Sequence, residues 1–217
     1  MRVLGLDMSS RKSGYSLFNN DKLIDYGCWE RKKEVGDWRD NILFMSINLG
    51  EYIKNNKIDK IYCEDVPPII QNSQTVKVLS ALQGCVIGMC HVNNIDIEFV
   101  PVGTWKNKVG IDISHCKEYQ AMKRIHKGDK SLSKLKDNVK AYEKKMSVDY
   151  ANYTHGIDLV YKSKTSKDNQ DDIADSINIV TSKLDCMVKY NIEDVQDIMD
   201  KLWEQSSKGI LKSHRKG

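Results

Sequence analysis

Four carboxylates stand where the sequence predicts that buried strands end or an apolar helix begins. Asp7 and Glu64 each follow a short apolar run, and Asp172 and Asp175 lie at the start of an apolar helical pattern. A carboxylate at the end of a buried strand is costly unless a charged partner meets it there. Two chemistries use such an acid: it can hold a divalent metal ion, or its turn can wrap around a nucleotide phosphate.

Each acid also has a simpler interpretation. Asp7 could be a turn residue that bonds its own backbone. Asp171 and Asp172 could be favourable charges at a helix N-terminus, and Glu64 could pair with a lysine. The coincidence of acids at three defined topological positions favours the metal interpretation over these separate alternatives.

The apolar patterns predict an α/β fold with a five-stranded mixed sheet flanked by helices. Three antiparallel strands come first, and each of the next two strands, which are parallel, is preceded by a helix. The strands are predicted near residues 2–7, 15–18, 22–29, 60–63 and 95–100, and the helices near residues 37–57 and 74–92.

This order of elements is expected to bring the acids together. Parallel strands joined by a crossover helix are usually neighbours, which places Asp7 and Glu64 at the same sheet edge. Asp172 and Asp175 are three residues apart and share a helix face. Converging carboxylates repel each other unless cations neutralise them, and oxygen ligands of this kind suit Mg²⁺ or Mn²⁺. Two such ions ~4 Å apart cleave phosphodiesters.

The charge distribution points to a polyanionic partner. Residues 104–167 carry 15 lysines and arginines against 7 aspartates and glutamates, whereas the remainder carries 19 against 23. A basic section beside an acidic remainder suits a nucleic acid, although a solvated lysine-rich helix face gives the same composition. We expect no membrane span or signal peptide, and six scattered cysteines indicate a reduced, cytoplasmic protein, in the bacterial host if it is phage-encoded.

The second half of the chain gives weaker patterns. Helices are expected at residues 117–125, 132–146 and 171–190, whereas residues 150–169 are polar and are expected to be a mobile flap or to order on binding. We expect a nuclease-type domain over residues 1–190, with a basic insertion at about 104–167. A C-terminal amphipathic helix and a basic tail are expected over residues 191–217.

The motifs VLGLDMSSRKSGYSLF, IYCED and DDIADSINIV, in that order, resemble the RuvC-type Holliday junction resolvases of the ribonuclease-H-like superfamily. The resemblance implies a homodimeric endonuclease that cuts four-way DNA junctions by paired symmetric nicks. It would use two Mg²⁺ per active site, with Mn²⁺ able to substitute. The implied catalytic and metal-binding acids are Asp7, Glu64, Asp172 and Asp175, with Asp172 favoured over Asp171.

The resemblance also assigns basic residues. Lys106 and Lys117 match the two lysines that approach the scissile phosphate in the family. The full set expected to bind DNA is Arg11, Lys12, Lys106, Lys108, Lys117, Lys123 and Arg124. The apolar helix at residues 74–92, with its recurring small residues, is the expected dimer interface.

The chain departs from the bacterial family at two places. An aromatic wedge is expected three residues after the second acid, where this chain has Pro67, and the stretch 118–167 is longer than in the bacterial enzymes. The longer stretch fits a phage or mobile-element relative with a broader range of branched DNA substrates. Two alternatives remain: an actin-like or sugar-kinase-type nucleotide-binding domain, and a module that binds junctions without cutting them.

Overall fold

The computed structural model describes residues 1–32, 37–66, 72–192 and 194–211. The position expected to hold a wedge, Pro67, lies outside the described residues. The strands are β1 (Arg2–Asp7), β2 (Lys12–Asn19), β3 (Lys22–Glu30), β4 (Lys60–Glu64) and β5 (Asp96–Val100). The helices are α1 (Trp38–Asn56), α2 (Ser73–Asn93), α3 (Val102–Val109), α4 (Lys117–Ile125), α5 (Ser131–His155), α6 (Asp171–Thr181) and α7 (Val195–Leu211).

The five strands form one mixed sheet in the order β3-β2-β1-β4-β5. The pairs β1–β2 and β2–β3 are antiparallel, and β1–β4 and β4–β5 are parallel. The prediction of three antiparallel strands followed by two parallel ones is therefore confirmed, as is the ribonuclease-H-like α/β fold class.

Helices cover both faces of the sheet because successive residues of β1 point to opposite sides. Leu4 and Leu6 pack with buried residues of α1 and α2, such as Leu49 and Val86. Val3 points the other way and packs with α6 and the end of α5. A third apolar cluster joins α3, α4, α5 and α7 around the fully buried Trp105. The basic insertion is therefore a packed helical layer.

Local signals explain where α1 and α2 begin. Asp37 caps α1 by accepting a hydrogen bond from the Arg39 backbone N–H at 2.7 Å, and the Asp40 carboxylate accepts from the Asp37 backbone N–H at 2.8 Å. Asn72 caps α2 through its side-chain oxygen, which accepts from the Gln74 backbone N–H at 3.0 Å. These reciprocal bonds satisfy amide groups that the first helical turn leaves without partners.

The helix expected over residues 171–190 is wrong in its length. It ends at Thr181, and Val188, which the apolar pattern placed on the buried face, is 66% exposed. After the helix the chain crosses to α3, where the Tyr190 backbone N–H donates to the Val109 carbonyl at 2.7 Å. A contact between distant segments thus overrides a periodic pattern that has no glycine or proline to stop it.

The expectation of a mobile flap at residues 150–169 is also wrong. The first part of this stretch belongs to α5, and Tyr150 and Ala151 are buried. The remainder is fastened to the start of α6, where the Gln170 backbone N–H donates to the Val160 carbonyl at 3.0 Å. Polar composition misled the prediction because the polar groups here bond each other.

One helix in the described part of the chain, α2, is long and apolar enough to cross a membrane by length and composition, with a mean hydropathy of 1.4 over its most apolar window. The expectation that no segment comes near this composition was too strong. Core helices of soluble proteins meet the same criterion, so it is weak evidence for a membrane span. Only 22% of that window is buried within the chain, which leaves an apolar helix face uncovered.

Candidate active site

The register of β1 and β4 places the first two acids side by side. Leu6 is the partner of Cys63 in the parallel pair, so the next residues, Asp7 and Glu64, end the two strands together. Asp7 shares the sheet face of Val3, the face that packs on α6. Both acids therefore belong to one sheet edge beneath the same helix.

Two glycines let α6 lie directly on the sheet. A Cβ atom at Gly14 would lie well under 3.0 Å from the backbone of Asp172, and one at Gly5 would collide with the Ser176 carbonyl. Ser16 donates its hydroxyl hydrogen to the same carbonyl at 2.9 Å. This close approach holds the N-terminal part of α6, and with it Asp172 and Asp175, against the strand ends.

The grouped acids perturb each other's protonation. Burial raises the pKa of Asp7 well above its ordinary value, and the charges of Glu64, Asp175 and Asp172 raise it further. Burial and the charge of Asp175 raise the pKa of Glu64 to about 7. Burial also raises the pKa of Asp175 to about 6, although Lys106 and the Ser147 hydroxyl oppose that shift. These are the perturbations expected of acids crowded into a weakly solvated site.

The two neighbouring acids at the start of α6 have different surroundings. The Asp171 side chain is only 8% exposed and pairs with Lys144. Asp172 is more open and contributes to the raised pKa of Asp7. Lys12 Nζ lies 3.1 Å from the Asp172 carboxylate and opposes the rise in the pKa of Asp172 that burial and Asp171 cause. The geometry thus directs Asp172, rather than Asp171, towards Asp7.

Lys106 is held beside the acids. Its Nζ lies 3.2 Å from the carboxylate of the buried Glu143 on α5, which also accepts a hydrogen bond from the Ser114 backbone N–H at 2.8 Å. Burial disfavours the charge on Lys106, but Asp175, Glu143 and Glu64 outweigh burial and raise the pKa of this lysine. Lys106 is therefore a fixed ammonium group at the edge of the acid cluster.

The other basic residues expected to bind DNA lie in different places. Lys123 and Arg124 line a cleft between α4 and α5 that reaches Asp175. Lys12 faces Asp172 and also donates to the Asn169 carbonyl at 2.6 Å, so its charge is engaged by an acid of the site. Three more residues are exposed away from the lining of that cleft, and their roles stay predictions: Arg11, Lys108 and Lys117.

The acids fit a divalent cation by chemistry and location, although they do not form a closed ligand cage. Four carboxyl groups share one partly buried place, and their raised pKa values indicate negative charge without full compensation. As the side chains stand, no three carboxyl, imidazole or thiol groups in the described ranges are close enough to hold one ion. Oxygen-only donors of this kind suit a hard cation such as Mg²⁺.

Four residues that support the acids were not singled out from the sequence. Trp105 donates its indole N–H to Glu64 at 3.2 Å, and Ser147 donates its hydroxyl hydrogen to Asp175. Glu143 and Lys144 complete the set. A signal existed on α5: Glu143 and Ser147 fall on the same helical stripe as the buried Leu135 and Val139. A polar residue in an apolar stripe indicates a buried partner.

The fold is similar to solved structures of RuvC. Thermus thermophilus RuvC in complex with a Holliday junction substrate is 8% identical, with a TM-score of 0.57 over 84% of this chain and 92% of that chain. Another Thermus thermophilus RuvC structure is 11% identical, with a TM-score of 0.54 and the same coverage. A fowlpox virus resolvase complex with Holliday junction DNA is 17% identical, with a TM-score of 0.40 over 87% of this chain and 100% of that chain.

No protein-family model matches the sequence, and no curated protein matches it. At these low identities the RuvC structures establish that the chain shares their fold.

Proposed function

We propose that this chain, which has the RuvC fold, is a metal-dependent endonuclease that resolves four-way DNA junctions by paired symmetric nicks. One observation carries the proposal. Asp7 and Glu64 end neighbouring parallel strands, and α6 brings Asp172 and Asp175 to the same place, where the acids raise one another's pKa values. A binding module gains nothing from carboxylates that face the phosphates of its ligand.

The four acids would hold the divalent ions, which, when bound, supply an activated water and stabilise the charge that develops on the phosphate. Lys106 has a separate role in the proposal. Its ammonium group is held by Glu143 at the edge of the cluster, where it can neutralise a phosphate oxygen. Ser147 and Trp105 orient the Asp175 and Glu64 carboxyl groups through hydrogen bonds.

The test is cleavage of a labelled four-way junction in Mg²⁺ and in EDTA. We expect Asp7→Asn and Asp172→Asn to lower the rate by more than about 100-fold, since even outer partners of metal ligands are worth 10–100-fold. Junction binding should persist in both variants, because less negative charge then opposes the phosphates.

Asp171→Asn is the matched control, because it removes the same charge from the adjacent position of the same helix. We expect it to keep most of the activity. An inactive Asp171→Asn beside an active Asp172→Asn would reverse that assignment. Full activity of Asp7→Asn, or cleavage in EDTA, would contradict the proposed function.

We also propose that the active unit is a homodimer formed through the outer face of α1 and α2. Leu43 and Ile47 on α1 are 59% and 51% exposed, and Ile87 on α2 is 49% exposed. Gly84 and Gly88 lie on the same outer side of α2, with nothing near the position that a Cβ would take. A second copy suits this apolar face, because a two-fold symmetric junction requires two symmetric active sites.

A further inference from the structure

A large cleft leads away from the acids into the helical layer formed by the basic insertion. Its volume is about 1230 Å³, above the roughly 300–1,000 Å³ of sites that enclose a drug-sized molecule. Asp175 and Lys106 lie at its inner end, Tyr119 and Lys123 of α4 line one wall, and residues of α5 line the other. The cleft is therefore continuous with the candidate active site.

The walls of the cleft carry excess positive charge. Seven lysines and arginines line it against three acids. The acids already have partners, since Glu143 bonds Lys106 and Ser114, and Asp112 bonds His115 at 2.9 Å. The remaining charge is open to a ligand, because four of the lysines make no ion pair with any residue in the described ranges: Lys123, Lys127, Lys136 and Lys140.

Apolar and aromatic groups lie between these charges. Tyr119, Leu132 and Val139 contribute to the lining, and Lys123 Nζ lies 5.5 Å from the centre of the Tyr119 ring. Proteins bind unpaired strands with this combination, in which a basic groove follows the phosphates and apolar or aromatic surfaces receive the bases. A paired duplex offers phosphates to lysines but keeps its base faces stacked, so it makes no use of an apolar floor.

The kind of base-independent contact also follows from the residue types. Lysine presents a compact charge without the planar fork that arginine uses to read guanine, and six of the seven basic residues are lysines. Such a lining binds the backbone of a strand and selects for its exposed bases without reading their sequence.

We infer that the cleft between α4 and α5 binds an unpaired segment of DNA and leads it to the acids. This inference rests on the proposed function and narrows the substrate to branched DNA with unpaired nucleotides beside the cut. It explains what the basic insertion adds to a fold whose sheet already carries the acids.

The experiment measures binding of the full chain in EDTA, by fluorescence anisotropy, to labelled oligothymidine and to a hairpin duplex with the same number of phosphates. The test variant is Lys136→Ala/Lys140→Ala, whose exposed lysines line the cleft. The control is Lys130→Ala/Lys134→Ala, which removes the same charge from exposed positions at the start of the same helix and outside the cleft.

We expect the test variant to weaken oligothymidine binding much more than the control does. Its salt dependence on oligothymidine should fall by about 2 in slope, about 1 for each lost phosphate contact. The two variants should affect the duplex equally. Equal losses on oligothymidine, or a larger loss on the duplex than on oligothymidine, would overturn the inference.

The outcome is separable from that of the proposed function. Binding in EDTA involves no cleavage, so a chain that fails to cut junctions can still show the cleft effect. A chain that cuts junctions in Mg²⁺ while both lysine variants bind oligothymidine alike would refute only the cleft.

Discussion

The acids at the sheet edge carry a conflict that only a cation resolves. Three of them, Asp7, Glu64 and Asp175, have pKa values raised by burial, and the first two also by each other or by Asp175. Without a metal ion, the site therefore retains protons near neutral pH. Binding of a divalent ion must displace these protons, so metal affinity is expected to rise with pH.

The same shifts predict how the metal-free protein responds to pH. The folded pKa values lie above the unfolded ones, so between about pH 5 and pH 8 the native state binds more protons, and the free energy of unfolding falls as pH rises. We expect the Tm in EDTA to decline over this range. The decline should be smaller in Asp7→Asn, which removes one of the repelling charges.

Thermal unfolding in EDTA across that pH range checks this prediction, and added Mg²⁺ should restore the Tm at high pH. Asp197→Asn is the control, since Asp197 lies in an exposed ion pair on α7 and its loss should leave the slope unchanged. A Tm that rises with pH in the parent protein would contradict the assigned pKa directions.

At the scale of elements, the site depends on how closely α6 approaches the sheet. Gly14 and Gly5 leave no room for a side chain between strand and helix. The acids on α6 are therefore positioned by backbone packing. Side chains of α5 add to this support, because Ser147 bonds both Asp175 and the amide group of Asn178.

We predict that Gly14→Ala lifts α6 from the strands, because its Cβ would overlap the backbone of Asp172. Overpacking of a core usually costs about 1–3 kcal/mol, and we expect a loss in that range, together with nearly complete loss of cleavage. Urea unfolding and junction cleavage measure the two effects.

Gly50→Ala is the matched control for that substitution. A Cβ at Gly50 would meet Met89 at 3.8 Å, an ordinary contact, and alanine is favoured over glycine within a helix. It should be neutral or stabilising and fully active. Equal stability and activity of the two variants would show that the close approach of α6 is unimportant.

The element boundaries separate what the sequence predicts from what it does not. Asp7 and Glu64 were found at strand ends because short apolar runs followed by an acid are local patterns. The end of α6 at Thr181 was not predicted, since it depends on the contact between Tyr190 and Val109. The short α3 was also missed, because its apolar residues are too few to show a helical period.

Within the site, the acids were predictable and their supports were not. Glu143 and Ser147 are polar residues of a helix whose burial depends on α3, α6 and the 112–115 loop, none of which is near them in sequence. Their roles arise from tertiary contacts. A single sequence records such a residue only as an interruption of an apolar stripe.

At the scale of the whole molecule, the uncovered face of α2 predicts self-association. We expect Ile87→Glu to convert a dimer into a monomer at micromolar concentration, because a buried unpaired charge opposes association. Sedimentation would measure the state. The monomer should fold normally and lose the pairing of nicks in the two opposite strands of a junction.

Ile125→Glu serves as the control, since Ile125 is 75% exposed on α4, far in sequence from the proposed interface. It should remain dimeric. A parent chain that sediments as a monomer with and without junction DNA would exclude the dimer, and the face of α1 and α2 would then need another occupant.

The order of the acids along the chain has a consequence for synthesis in the cell. The strands that carry Asp7 and Glu64 emerge early, but α6 follows only after residue 170. At about 5–20 residues per second, a ribosome needs roughly 10–30 s to add the helix after β1. Throughout that interval the apolar face of the nascent sheet lacks its cover, and the cutting site does not yet exist. Translation thus gives a DNA-cutting chain a built-in delay, together with a period in which it depends on chaperones.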